Sequence, residues 1–125
     1  MKTILLIEDD TILLENTAEL LELSNYKVIT ALNGRAGVEK AIHVLPDVII
    51  CDIMMPELDG YNVLLELSRN KSTRNIPFIF LSAKAEPKDI FKGMDMGAKD
   101  YIKKPFDEAE IINAIERALG KIRKL

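Results

Sequence analysis

Four consecutive β-favouring apolar residues, Val48-Ile49-Ile50-Cys51, run straight into a carboxylate, Asp52. Such a run, without polar alternation, is the pattern of a strand buried on both faces, and it restricts the chain to folds that cover a sheet twice. Pro56 rules out a regular continuation, and Asp59-Gly60 is a turn signal that also opens the next helical pattern. A carboxylate therefore stands at the carboxyl end of a central strand, at the mouth of a loop. Open α/β sheets gather ligands and chemistry at that place. Taken alone, the stretch is equally consistent with Asp52 merely ending a strand.

The flanking sequence repeats the theme. Ile4-Leu5-Leu6-Ile7 is a first buried-strand run and ends in Glu8-Asp9-Asp10. A helix follows, with Leu14, Ala18 and Leu21 on one face, until Ser24-Asn25 stops it. Tyr26 to Ala31 reads as a second strand, Asn33-Gly34 as a turn, and Arg35 to His43 as a helix through Val38, Ala41 and Ile42. Beyond the central strand, Val63, Leu64 and Leu67 mark a third helix, and Lys71 to Asn75 a polar loop. Pro77 opens a fourth strand, Phe78-Ile79-Phe80-Leu81, ending at Ser82-Ala83. The helix begun by Glu86-Pro87 is weak: its apolar positions are Ile90, Phe91 and Met94, and Gly93 in its interior costs about 1 kcal/mol relative to Ala. Lys99 to Lys103 is a short, charged strand suited to a sheet edge. Asp107 with Glu110 forms a near capping box for a last helix, which buries Ile111, Ile115, Ala118 and Leu119 and stops at Gly120.

Five strands alternating with five helices over short joints predict a doubly wound α/β fold, a parallel sheet covered on both faces. With 125 residues the chain is one domain by length. Residues 1–120 form that domain, and 121–125 are a C-terminal tail, either a true end or the start of a linker. No run approaches the roughly 18 apolar residues of a membrane span. Met1-Lys2-Thr3 leads into an apolar run too short for a signal peptide. The one cysteine, Cys51, falls in a buried strand, which excludes an intrachain disulfide. A cytoplasmic protein is the simplest account, and the net charge of −3 argues against general nucleic-acid binding.

Polar residues converge when the strand ends are laid side by side. The first strand delivers Glu8 and Asp9, the third Asp52, the fourth Ser82 and the fifth Lys104. In the flavodoxin-like order 2-1-3-4-5 these strands are neighbours, with the switch point between the first and third. Two unit charges about 4 Å apart repel by roughly 4 kcal/mol at an effective dielectric near 20. A divalent cation relieves such a cluster, and Mg2+ suits it because it keeps waters and accepts a phosphate oxygen. Asp52 is then a candidate nucleophile towards phosphorus, while Lys104 offers an ammonium and Ser82 a hydroxyl to phosphoryl oxygens.

The segments ILLIEDD, DVIICDIMMPELDG, FLSA and GAKDYIKKPF stand in an order and spacing that is similar to the receiver domain of bacterial two-component response regulators, chemotaxis receivers included. The resemblance covers Lys2 to Leu119. It implies that Asp52 accepts phosphate from a histidine kinase or histidine phosphotransfer protein. It implies Mg2+ held by the Asp9 and Asp52 side chains and the Met54 backbone carbonyl, with Glu8 acting through water. Ser82 and Lys104 would meet the phosphoryl oxygens, Ser82 and Tyr101 would form the switch, and Lys104-Pro105 would be cis. Glu8 and Ser82 stand where other members carry Asp and Thr, both familiar variants.

Other residues have simpler explanations. His43, the sole histidine, has no partner motif, Cys51 reads as core, Met54 and Met55 as loop, and Asp10 as an N-cap. Three competing functions fit the residues less well. A haloacid-dehalogenase-like phosphatase needs a second acid two positions after its nucleophile, where this chain has Met54. A flavin module needs phosphate donors where Glu8-Asp9-Asp10 would repel. A non-phosphorylated adaptor would lack part of the acid, Ser and Lys set, which is complete. The expectation is a switch that catalyses its own phosphorylation and slow dephosphorylation without turning over an external substrate. Phe91, Tyr101 and the exposed side of the last helix are the expected partner surface, for a target or a homodimer through the helix 4–strand 5–helix 5 face, with no membrane or direct nucleic-acid contact.

Overall fold

A computed structural model describes residues 1–120; the expected tail, 121–125, lies outside them. Strands β1 (Thr3–Ile7), β2 (Lys27–Ala31), β3 (Val48–Asp52), β4 (Phe78–Ser82) and β5 (Asp100–Lys103) alternate with helices α1 (Thr11–Leu23), α2 (Gly34–Val44), α3 (Gly60–Ser68), α4 (Pro87–Asp95) and α5 (Glu108–Ala118). The strands form one parallel sheet in the order β2-β1-β3-β4-β5, the order expected for a flavodoxin-like fold.

Both sheet faces are covered, which is why the inner strands β1, β3 and β4 are apolar almost to their ends. Leu5, Ile7, Ile49, Cys51, Phe78 and Phe80 face a core closed by α2 and α3. Ile4, Leu6, Val48, Ile50, Ile79 and Leu81 face a second core closed by α1 and α5. Every residue of β3 and β4 is buried. Burial of this kind contributes roughly 25 cal/mol per Å2 of apolar surface, and the central strands collect it from both sides.

Local chemistry sets the helix ends. Asp10 Oδ1 accepts from the backbone N–H groups of Ile12 and Leu13 at 3.1 and 3.2 Å, so the expected N-cap of α1 is present. Asn33 caps α2 through Ala36 N at 2.8 Å, and Asp59 caps α3 through Asn62 N at 2.9 Å. Asp107 and Glu110 form the full reciprocal box on α5. Among the described residues, no helix is long and apolar enough to cross a membrane.

Two helical faces differ from expectation. On α2 the buried line is Gly34, Gly37, Val38 and Ala41, and Ile42 is 40% exposed. Gly37 lets that helix lie against the Ile7 side chain of the sheet, while Gly34 sits against Leu58 and Val63, and Ile42 falls outside this buried line. On α4 the apolar positions Ile90 and Met94 are exposed, as is Phe91, which was expected at the partner surface, and the buried position is Gly93. Met55, read as a plain loop residue, is buried in the first core.

Candidate functional site

The carboxyl ends of β1, β3, β4 and β5 meet at one edge of the sheet. β1 hands over Glu8, whose backbone N–H still pairs with Ala31 O at 3.0 Å as if the strand continued, so its side chain is fully buried. Asp9, one residue on, is exposed. Asp52 ends β3 and is buried. Each of Glu8, Asp9 and Asp52 offers a carboxylate oxygen, and the three oxygens lie within 4.8 Å of one another. The loop after β5 brings Lys104 back over the group, with its backbone N–H tied to Ser82 O at 2.9 Å. Lys104 Nζ donates to Glu8 Oε1 at 2.7 Å and stands 3.3 Å from Asp52 Oδ1. The Lys104-Pro105 peptide bond is cis.

The walls are set by backbone packing. A Cβ on Gly60 would lie 2.4 Å from Asp52 O, so only glycine lets the start of α3 approach the end of β3 this closely. Gly60 N–H closes the intervening loop on Ile53 O at 2.9 Å. Within the loop, the Met54 side chain is 61% exposed. Cys51 Sγ donates to Asp52 O at 3.2 Å and is fully buried, in keeping with a core role. His43 is outside the cluster, its Nδ1 2.9 Å from Glu39 O one turn back on α2.

Crowding at this edge perturbs Glu8, Asp52 and Lys104. Burial pushes Glu8 from its ordinary 4.5 up to about 7, against the hydrogen bond from Lys104 and that from Asp10 N–H, and the Asp52 charge adds to the rise. Burial likewise raises Asp52; Lys104 pulls the other way, and Asp9 raises it further. For Lys104 burial opposes the charge, but the hydrogen bond to Glu8 and the Asp52 and Glu8 charges outweigh it and hold the ammonium. A site built this way has more acidic oxygen than its one lysine neutralises. Hard cations that take oxygen ligands fit it, Mg2+ among them, and Asp9 keeps one side open to water.

Ser82 is fully buried at the end of β4, and its hydroxyl accepts from Lys84 N at 3.0 Å. Tyr101, on β5, donates its hydroxyl to the Lys84 carbonyl, so the Ser82–Lys84 segment is gripped at both ends. The Tyr101 ring packs on Phe80 at 6.0 Å between centroids. Of the residues named from sequence, Glu8, Asp9, Asp52 and Lys104 form one contact group. Ser82 and Tyr101 join it through the loop between β4 and α4. Tyr61, Phe80, Lys92 and Gly93 connect that loop's neighbourhood to α4; Tyr61 and Lys92 carried no signal in the sequence, Phe80 registered only as a generic strand residue, and Gly93 only as a weak point in its helix. Asp59-Gly60 was legible as a turn but not as a close approach to Asp52.

Residues 4–116 match the family described as the response regulator receiver domain. The DNA-binding dual master transcriptional regulator RpaA of Synechocystis sp. is 34% identical over 125 residues, 100% of this chain and 52% of that protein. The response regulator SaeR of Staphylococcus aureus is 33% identical over 124 residues, 99% of this chain and 53% of that one. The chain thus spans about half the length of these curated relatives. Among solved structures, it is similar to the receiver domain of a sensor histidine kinase from Pseudomonas aeruginosa PAO1 that has a magnesium ion coordinated in its active-site cleft. That likeness has a TM-score of 0.88 at 31% identity, covering 95% of this chain and 98% of the other.

Proposed function

Because this chain belongs to the response regulator receiver domain family, we propose that Asp52 accepts a phosphoryl group from a histidine kinase or histidine phosphotransfer protein. The observation that carries the reading is the contact of Lys104 Nζ with both Glu8 and Asp52, beside the open carboxylate of Asp9. An Asp52 carboxylate oxygen attacks phosphorus, the bond from phosphorus to the donor imidazole nitrogen breaks, and the imidazole leaves with the bonding pair. Lys104 shifts its ammonium towards the incoming phosphoryl oxygens, and the Ser82 hydroxyl turns to donate to another. Water later attacks the acyl phosphate slowly, so the domain catalyses its own phosphorylation and dephosphorylation and turns over no other substrate.

Asp9, Asp52 and the Met54 carbonyl would hold Mg2+, with Glu8 acting through water; bound there, the ion supplies charge neutralisation at the anionic donor. The donor set supports this, since three carboxylate oxygens within 4.8 Å suit an oxygen-seeking cation. The output face in this reading is α4, β5 and α5, where Phe91 is 71% exposed. It would meet a target or a second copy of the chain. Nucleic-acid contact is not assigned to this chain, whose net charge is −3.

The test is incubation with acetyl phosphate and Mg2+ followed by intact mass. The expected adduct is about 80 Da, one phosphoryl group replacing a proton. Asp52→Asn should carry none, and an undiminished adduct in that variant would refute the assignment.

A further inference from the structure

Helix α4 is fastened to the sheet by few groups. Its apolar side chains face solvent, and what it buries is the backbone at Gly93. A Cβ on Gly93 would lie 2.8 Å from Phe80 Cδ2 and 3.1 Å from Tyr101 Cδ2, so the helix rests directly on two aromatic rings. Lys92 reaches the other way, with its Nζ 4.0 Å from the centroid of the Tyr61 ring. Tyr61 and Tyr101 flank Phe80, with centroids 5.3 and 6.0 Å away. Tyr101 in turn holds the Lys84 carbonyl just before the helix.

One group in this arrangement is left unsatisfied. The Tyr61 hydroxyl is buried without a hydrogen-bond partner among the described residues. An orphaned hydroxyl penalises the state that buries it, and any state that admits water or a polar partner relieves the penalty. Tyr101 also supplies one of the two rings of the Gly93 seat, so a swing of that ring would leave α4 resting on Phe80 alone. The resting position of α4 therefore has one group pressing for its release and one cation, Lys92, stacked across the joint.

We propose that Tyr61 and Lys92 are a latch, a pair of positioning residues that sets how readily α4 leaves its seat on Phe80 and Tyr101 through Gly93. The latch rests on the receiver reading only in what triggers it; the seat itself is a matter of packing. Loss of the cation loosens α4, and loss of the orphaned hydroxyl tightens it.

The chain has three tyrosines, and Tyr26 lies in the opposite core, so 19F spectra of fluorotyrosine-labelled protein carry an internal reference. Without any phosphoryl mimic, Lys92→Met should move the Tyr61 and Tyr101 resonances together. It should also speed amide exchange across 87–95 by roughly two- to fivefold, the worth of an exposed cation–π contact. Lys92→Arg should restore both. Tyr61→Phe should slow the same exchange. Gly93→Ala should speed it, although alanine is the better helix former. Wild-type spectra and exchange in Lys92→Met, or slower exchange in Gly93→Ala, would overturn the latch. Beryllofluoride with Mg2+ should move both tyrosine resonances, and movement of Tyr101 alone would also overturn it. If neither moves on adding the mimic while the mimic-free variants behave as stated, the latch stands and the phosphoryl reading falls.

Discussion

Lys104 places its ammonium 3.3 Å from the Asp52 carboxylate across the carboxyl edge of the sheet, while its shorter contact, 2.7 Å, goes to Glu8. One cation therefore serves two buried acids. Removing it leaves Asp52 and Glu8 without a cationic partner, Glu8 keeping only the bond from Asp10 N–H, and a buried charge is most costly without its counter-charge. Lys104→Met should lower unfolding stability at pH 7.5 by on the order of 3 kcal/mol. The loss should shrink near pH 5, where Glu8 takes up a proton. Urea titrations at the two pH values check it, and an equal loss at both would exclude the shared-cation account.

Glu8 carries its own pH signature. In the folded state its pKa is raised from 4.5 to about 7, so between those values the folded chain holds a proton that the unfolded chain has released. The contribution is fully present below about 4.5 and is lost as pH rises through about 7. Metal-free protein should lose stability across that window, and Glu8→Gln should flatten the decline. Thermal melts in chelator from pH 4.5 to 8 measure both curves.

Adjacent acids should separate cleanly by role. Asp10 caps α1, so Asp10→Ala should cost about 1 kcal/mol of stability and leave phosphorylation largely intact. Asp9 is exposed and belongs to the acidic group, so Asp9→Ala should abolish Mg2+-dependent labelling at little cost in stability. Equal loss of labelling in the two variants would mean that the cation is held elsewhere.

Phe91 contributes little to the fold, since most of its surface is in solvent. Phe91→Ser should change stability by no more than about 0.5 kcal/mol. If α4, β5 and α5 form the output face, the same change should weaken any self-association induced by beryllofluoride. Sedimentation with and without the mimic decides it, and undiminished association would move the interface to another face.

What could be read from the sequence followed from how little each position depended on its neighbours. Val48 to Cys51 had to be a doubly covered strand because no face of it is polar, and Asp52, Glu8 and Asp9 were placed by strand ends alone. Lys104 followed from the same logic, and the sheet order brought it to them. The α4 face was legible only in part: Phe91 was expected at an exposed surface, but Ile90 and Met94 have helical spacing without a core to meet, and the real contact is backbone. Gly93 read as a defect for the same reason: its purpose is the proximity of Phe80, which no local pattern encodes. Ile42 lies outside the buried line of Gly34, Gly37, Val38 and Ala41, and Met55 is a loop residue that packs into the first core, which a local pattern does not encode.

The Glu8–Lys104 contact joins residues 96 positions apart. During synthesis the acids and the central strand emerge well before the lysine, and domains complete as units once their last strand is available. A ribosome-bound fragment ending before β5 presents acids without their cation, in a sheet still lacking its outer strand. Such an unfinished chain lacks the cation that bridges Glu8 and Asp52, so the charge balance of this edge is completed only when the outer strand joins the sheet.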